Sequence, residues 1–185
     1  MTGHKPASHT KVFISVIGTG DTASARELTL AEEVGKLLAQ RGATVVCGGL
    51  NGVMEAVCRG AKSAGGTTVG LLPGTERLEA NAFVDIAVPT GLGYARNSLV
   101  AKGGDAVIAV GGAFGTLSEI GHALADGKVV VGLETWELSR KGLLDNHIVR
   151  ANTPAEAVDK ALAAAAERLS RHAVKPEGPS TRTAG

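Results

Sequence analysis

The chain has 185 residues, 44% hydrophobic but only 3% aromatic, with a formal net charge of +1 at pH 7. That length suits one α/β domain whose substantial core is built from Val, Ile, Leu and Ala. A near-neutral balance with no basic block and few aromatics argues against a nucleic-acid groove or a membrane-surface face.

Residues 1–10 are polar, lack the apolar centre of a signal peptide and read as a flexible arm. No apolar run approaches the ~20 residues that span a bilayer. Cys47 and Cys58 show neither C-x-x-C spacing nor a nearby histidine cluster. Free thiols in a cytoplasmic protein are the expectation. Residues 12–17 predict a first strand running into Gly18-Thr19-Gly20-Asp21. A helix follows from Ser24, which forms a capping box with Glu27, and Leu28, Ala31, Val34, Leu37 and Leu38 make its apolar stripe. Gly42 ends it, and residues 43–47 predict the second strand. The turn Gly48-Gly49-Leu50-Asn51-Gly52 leads into a helix through Val53, Met54, Val57 and Ala61, with Asn51 as its expected N-cap. Residues 67–72 form a third strand stopped by Pro73-Gly74. An irregular crossing over 75–85 leads to a fourth strand over 86–88. A short helix over 94–102 then carries Arg96 and Asn97.

The next stretch organises the rest. Residues 106–110 are an apolar run suited to a strand buried on both faces. Gly111, Gly112 and Gly115 follow, separated only by Ala113 and Phe114. From Thr116 the period becomes helical, with Leu117, Ile120, Ala123 and Leu124 on one face. Strand, glycine turn and helix together gather backbone N–H groups and the positive end of a helix dipole around an anion. Gly127 closes this helix, residues 128–133 predict another buried strand, and residues 147–151 a last short one. Thr153-Pro154-Ala155-Glu156 opens a final helix with a Thr cap and Pro at the first position, running to about residue 171. The polar tail over 172–185 reads as disordered.

Strands alternating with helices predict a single-domain, doubly wound parallel α/β sheet over residues 11–171. Ligands in such sheets lie beyond the C-terminal strand ends, where the strand order reverses, and every glycine turn named above faces that edge. Three candidate sites result. Gly18-x-Gly20-x-x-Ala23 matches the dinucleotide fingerprint in form, but the second strand ends in Cys47-Gly48-Gly49 without the ribose-binding carboxylate. Gly18 and Thr19 therefore read as a tight turn beside some other nucleotide. Gly48, Gly49 and Asn51 either shape a ligand pocket or simply allow close strand–helix packing. The third turn, through Gly111, Gly112, Ala113, Phe114, Gly115 and Thr116, is the phosphate site. Here Thr116-x-x-Glu119 is also a capping box, and that role competes with Glu119 facing a sugar. Arg96 is either a solvated helix charge or a forked donor to phosphate or sugar. The five histidines, His4, His9, His122, His147 and His172, have no metal-ligand spacing, and no G-x-S-x-G elbow occurs.

Gly48-Gly49-x-x-Gly52-x-Met54, then Arg96, then Gly112-x-x-Gly115-Thr116-x-x-Glu119 resemble the LOG superfamily, known for nucleoside-monophosphate phosphoribohydrolases long mislabelled lysine decarboxylases. The resemblance implies a three-layer Rossmann-like fold, a 5′-phosphate in the glycine loop, and Glu119 and Arg96 as catalytic residues. It also implies a homodimer or homotetramer. In place of the family's P-G-G-x-G-T-x-x-E this chain has Gly111 for proline and Ala113 for glycine, and Asn97 replaces the lysine of an Arg-Lys pair. These departures resemble a sister branch that includes the molybdenum-cofactor carrier protein, which binds a phosphate-bearing pterin without hydrolysing it. The expectation is a protein that binds a phosphate-bearing small molecule, a nucleoside monophosphate first of all, at the glycine loop with no required cofactor or metal, and that hydrolyses its N-glycosidic bond if the family's activity is retained; the alternative is a non-catalytic carrier for molybdenum cofactor or a related phosphorylated pterin. Nothing in the chain marks a pyridoxal-phosphate site, so lysine decarboxylation is not expected.

Overall fold

Short apolar runs alternating with capped, amphipathic segments fold as a parallel sheet covered on both faces. A computed structural model describes residues 11–173. The predicted arm over residues 1–10 and residues 174–185 of the predicted tail lie outside the described residues, while residues 172 and 173, expected to open that tail, continue the last helix. In chain order the elements are β1 (Phe13–Gly18), α1 (Ala25–Gln40), β2 (Thr44–Cys47), α2 (Val53–Ser63), β3 (Thr68–Leu72), β4 (Ile86–Pro89) and α3 (Asn97–Gly103). Then come β5 (Ala106–Val110), α4 (Phe114–Ala125), β6 (Val130–Leu133), β7 (Leu138–Arg140), β8 (Leu143–Asp145), β9 (Ile148–Ala151) and α5 (Pro154–Ala173).

Seven strands form one parallel sheet in the order β4-β3-β2-β1-β5-β6-β9. The order reverses between β1 and β5, whose last residues, Gly18 and Val110, pair across the ladder. Alternate residues of each strand serve opposite layers. Ile14, Val16, Val45, Ile108 and Val110 pack with α1, α2 and α5, whereas Ile17, Val107 and Ala109 pack with α3 and α4. The result is the expected three-layer, doubly wound architecture.

Boundaries follow local chemistry. The Ser24–Glu27 capping box starts α1 as expected, and the Thr153 hydroxyl accepts the Glu156 amide at the start of α5. Two expectations fail. Asn51 does not cap α2. Gly52 occupies the cap position at φ 70°, because a Cβ there would lie 2.1 Å from the Gly20 carbonyl oxygen. Asn51 instead donates to Asp21 across the neighbouring turn at 3.1 Å. The helix predicted over 94–102 is also broken in two: a 3-10 turn spans Gly93–Arg96 and α3 proper starts at Asn97. The β7–β8 hairpin, absent from the sequence prediction, turns through Lys141 and Gly142, both at positive φ as a tight two-residue hairpin requires.

Candidate functional site

The site forms at the β1/β5 reversal because glycine lets three backbones meet there. A Cβ on Gly18 would stand 2.3 Å from the Val110 carbonyl oxygen, so β1 and β5 can converge only with glycine at that position. Gly111 and Gly112 then take φ of 59° and 130°, where other residues are strained. These torsions, with Ala113 extended at the cap position, start α4 at Phe114, two residues earlier than the expected Thr116.

That shift overturns the capping-box alternative for Thr116 and Glu119. Thr116 is the third residue of the helix rather than its cap, and α4 has no side-chain cap bond. Glu119 sits one turn above Gly115 on the same face and meets Arg96 instead. The Arg96 guanidinium donates from NH1 to Asn97 Oδ1 at 2.7 Å and lies 3.4 Å from Glu119 Oε1. Asn97 Nδ2 lies 3.4 Å from the Gly115 carbonyl oxygen, tying the start of α3 to the first turn of α4. Arg96 is therefore no solvated helix charge: its side chain is 9% exposed and that of Glu119 8%. The other guanidinium edge lies over Gly48, where a Cβ would be 2.6 Å from NH2. Absence of a side chain at Gly48 makes room for the arginine.

The pair is poorly balanced. Burial pushes the Glu119 carboxyl up to about 7, and the charge of Arg96 only partly opposes that. Near neutral pH the carboxyl is thus only partly ionised. Arg96 Nε is buried and has no hydrogen-bond partner among the described residues. This buried cation is under-compensated.

Glu27 enters from beneath. It accepts from the Thr19 hydroxyl at 2.6 Å, and Thr19 in turn accepts the Gly112 amide at 2.8 Å. Burial raises the Glu27 carboxyl, but donors from Thr19, Ser24 and Gly112 outweigh it and hold it below the ordinary value. The Thr19 hydroxyl and the Gly112 amide are therefore committed inside the protein. Helical geometry leaves the amides of Phe114, Gly115 and Thr116 without carbonyl partners in α4. Gly49 donates its amide to the Cys47 sulfur at 3.3 Å. Cys47 and Cys58, 3.5 Å apart, form a buried thiol pair; the thiol hydrogen bond holds Cys47 down and pushes Cys58 up.

The structure brings the 111–116 turn, Arg96, Asn97, Glu119 and Gly48 together, with Gly18 and Thr19 supporting the turn from below. Gly49 packs against Leu72 and Gly70 instead, and Asn51 serves the link to Asp21. Sequence reasoning missed Glu27 as a support of the turn, because its capping role masked a bond to a residue eight positions away. It also missed Thr135 and Trp136, whose side chains donate to the carbonyls of Gly111 and Ala113; their place just past the C-terminal end of β6 was the available signal. Among the described residues no group of three or more His, Cys, Asp or Glu side chains is arranged to hold a metal ion. No described helix is long and apolar enough to cross a membrane.

Comparison with known proteins adds kinship. A family model described as the SLOG cluster4 family matches residues 11–158. The cytokinin riboside 5′-monophosphate phosphoribohydrolase of Mycobacterium tuberculosis is 33% identical over 66% of this chain and 71% of its own length. The molybdenum cofactor binding protein of the phototrophic bacterium Rippkaea orientalis superposes with TM-score 0.76 at 35% identity, over 84% of this chain and 98% of that one. The molybdenum cofactor carrier protein of Chlamydomonas reinhardtii gives TM-score 0.72 at 34% identity, over 86% and 99%.

Proposed function

This chain belongs to the SLOG cluster4 family, and from that premise we propose that it binds a phosphate-bearing small molecule at the β1/β5 reversal and carries it without cleaving it. The phosphate occupies the N-terminus of α4, received by the amides of Phe114, Gly115 and Thr116. The observation that carries this reading is Arg96, a buried cation with an unpartnered Nε and a counter-carboxyl whose ionisation is opposed by burial. A ligand anion beside it supplies the missing negative charge. Asn97 and Glu119 position the arginine. Molybdenum cofactor is the named cargo because the carrier-type relatives align over nearly their whole length. Gly111, Ala113 and Asn97, where LOG hydrolases have Pro, Gly and Lys, weigh the same way. Assembly as a homodimer or homotetramer belongs to this proposal and is checked by light scattering.

One observation favours a second reading, hydrolysis of a nucleoside 5′-monophosphate. A carboxyl held near 7 is poised for proton transfer at neutral pH. Glu119 would then stabilise an oxocarbenium-like ribose or position water, and Arg96 would orient the sugar.

A panel of nucleoside 5′-monophosphates and phosphorylated pterins separates the two. Binding is read by calorimetry, and turnover by chromatography of free base and ribose 5-phosphate. The carrier reading expects heat without product. Product that vanishes in Glu119→Gln would establish hydrolysis instead.

A further inference from the structure

The 111–113 turn has a second side, facing away from Arg96. There the Gly111 carbonyl accepts the Thr135 hydroxyl, and the Ala113 carbonyl accepts Trp136 Nε1 at 3.3 Å. These two donors stand at the head of a cleft of about 350 Å³ beyond the C-terminal ends of β6 and β9. Trp136 and Ile148 give it apolar surface, Asn152 a polar edge, and the Arg26–Glu134 and Arg150–Glu137 ion pairs its charged rim. A second chamber of about 260 Å³ shares Trp136, Glu137, Ile148 and Arg150 and continues along β8. Phe114, the first residue of α4, is 80% exposed, with its ring centroid 5.7 Å from that of Trp136. An aromatic so exposed is not there for the core.

We propose that this cleft takes the flat heterocyclic ring of the ligand whose phosphate sits at α4, stacked against Trp136. The inference rests on the phosphate-ligand reading above. Three features select a heterocycle. The indole offers a π-face that accepts any flat ring. The rim offers carboxylates to ring N–H groups, and the Asn152 amide and two guanidiniums to ring nitrogens or carbonyls. The volume falls within the ~300–1,000 Å³ typical of small-molecule pockets. Glu134 is held at φ 53°, a conformation disfavoured outside glycine, and Arg26 Nε, 2.7 and 2.8 Å from its two carboxylate oxygens, fixes that carboxylate at the rim.

Trp136 is the chain's single tryptophan, so its emission reports on this cleft alone. Calorimetry and Trp emission would be followed with inorganic phosphate, ribose 5-phosphate, GMP and a phosphorylated pterin. The two ringless probes should bind without changing emission, and GMP should quench it. Trp136→Leu should weaken whichever ring-bearing phosphate binds by at least about fivefold, the lower end for loss of one base–aromatic stack. The same variant should leave ribose 5-phosphate within about twofold, and Trp136→Phe, which keeps a ring but loses the bond to Ala113, should retain most of the affinity. Heat from GMP with unchanged emission, or equal weakening by Phe and Leu, would overturn the ring cleft while leaving the phosphate site intact. No heat from any of the four probes would overturn the phosphate-ligand reading, and this inference with it.

Discussion

Replacing Glu119 by glutamine isolates the electrostatics of the buried pair. Glutamine keeps the shape of a protonated carboxyl but cannot ionise. In the folded protein the carboxyl titrates at about 7 rather than the ordinary 4.5, chiefly through burial. Between those two values the native state holds a proton that the unfolded chain has released. Stability is therefore highest below pH 4.5 and falls as pH rises through 7, where the native carboxyl must finally ionise in a dry setting. At roughly 1.4 kcal/mol per tenfold change in proton affinity, the loss amounts to about 3 kcal/mol. Other carboxylates also titrate in this range, so the quantity to follow is the stability of wild type minus that of Glu119→Gln. Urea denaturation at half-unit intervals from pH 5 to 8.5 gives that difference directly. Across that window it should fall by roughly 2–3 kcal/mol, with most of the change at or below pH 7. A difference constant to within about 0.5 kcal/mol would refute the reasoning, because Glu119 would then ionise normally and fully compensate Arg96.

The supporting structure makes further predictions. Gly18→Ala drives a Cβ into the Val110 carbonyl and should cost about 3 kcal/mol or more in urea denaturation. Gly20→Ala has nothing within 4 Å of the new atom and should stay within about 0.5 kcal/mol of wild type. Lys128, whose ammonium is pushed down chiefly by burial, donates to the carbonyls of Ala101, Lys102 and Gly104 at 3.0, 2.7 and 2.5 Å. Lys128→Met leaves the end of α3 unpaired and should lower stability by about 2–4 kcal/mol; a loss below about 0.5 kcal/mol would show that water replaces the ammonium. Cys47 and Cys58 are both free and fully buried, so a thiol reagent should label neither in the native protein and both in urea. Rapid native labelling would mean that the β2–α2 contact opens readily.

The sequence made the sheet legible because its signals were local: apolar runs, a change from period 2 to period 3.6, and glycines between them. The 111–116 turn was legible for the same reason. The pairing of Arg96 with Glu119 was not, since the two are 23 positions apart and meet only after α3 and α4 dock on one face of the sheet. Spacing therefore left each of them two roles, and burial decided. Asn51 misled because a cap-forming side chain next to a glycine looks like a cap, yet Gly52 had to fill that position to clear the Gly20 carbonyl. The capping box of Thr116 and Glu119 misled similarly: the torsions of Gly112 and Ala113 set the start of α4, and neither torsion is written in the spacing. Glu27 was read rightly as a cap partner, but its bond to Thr19 depends on how α1 meets β1. The β6–β7 wall of the cleft lay in a segment without periodicity, and only the Lys141-Gly142 pair hinted at a hairpin.

In the proposed function the first turn of α4 receives a phosphate. Backbone amide shift mapping, by titrating inorganic phosphate and then a phosphate-bearing ligand into ¹⁵N-labelled protein, tests it most directly. Saturable shifts are expected, concentrated in the amides of Phe114, Gly115 and Thr116, with the Gly112 amide, committed to Thr19, moving less. Saturable shifts centred elsewhere, or none at these three amides at millimolar ligand, would contradict it.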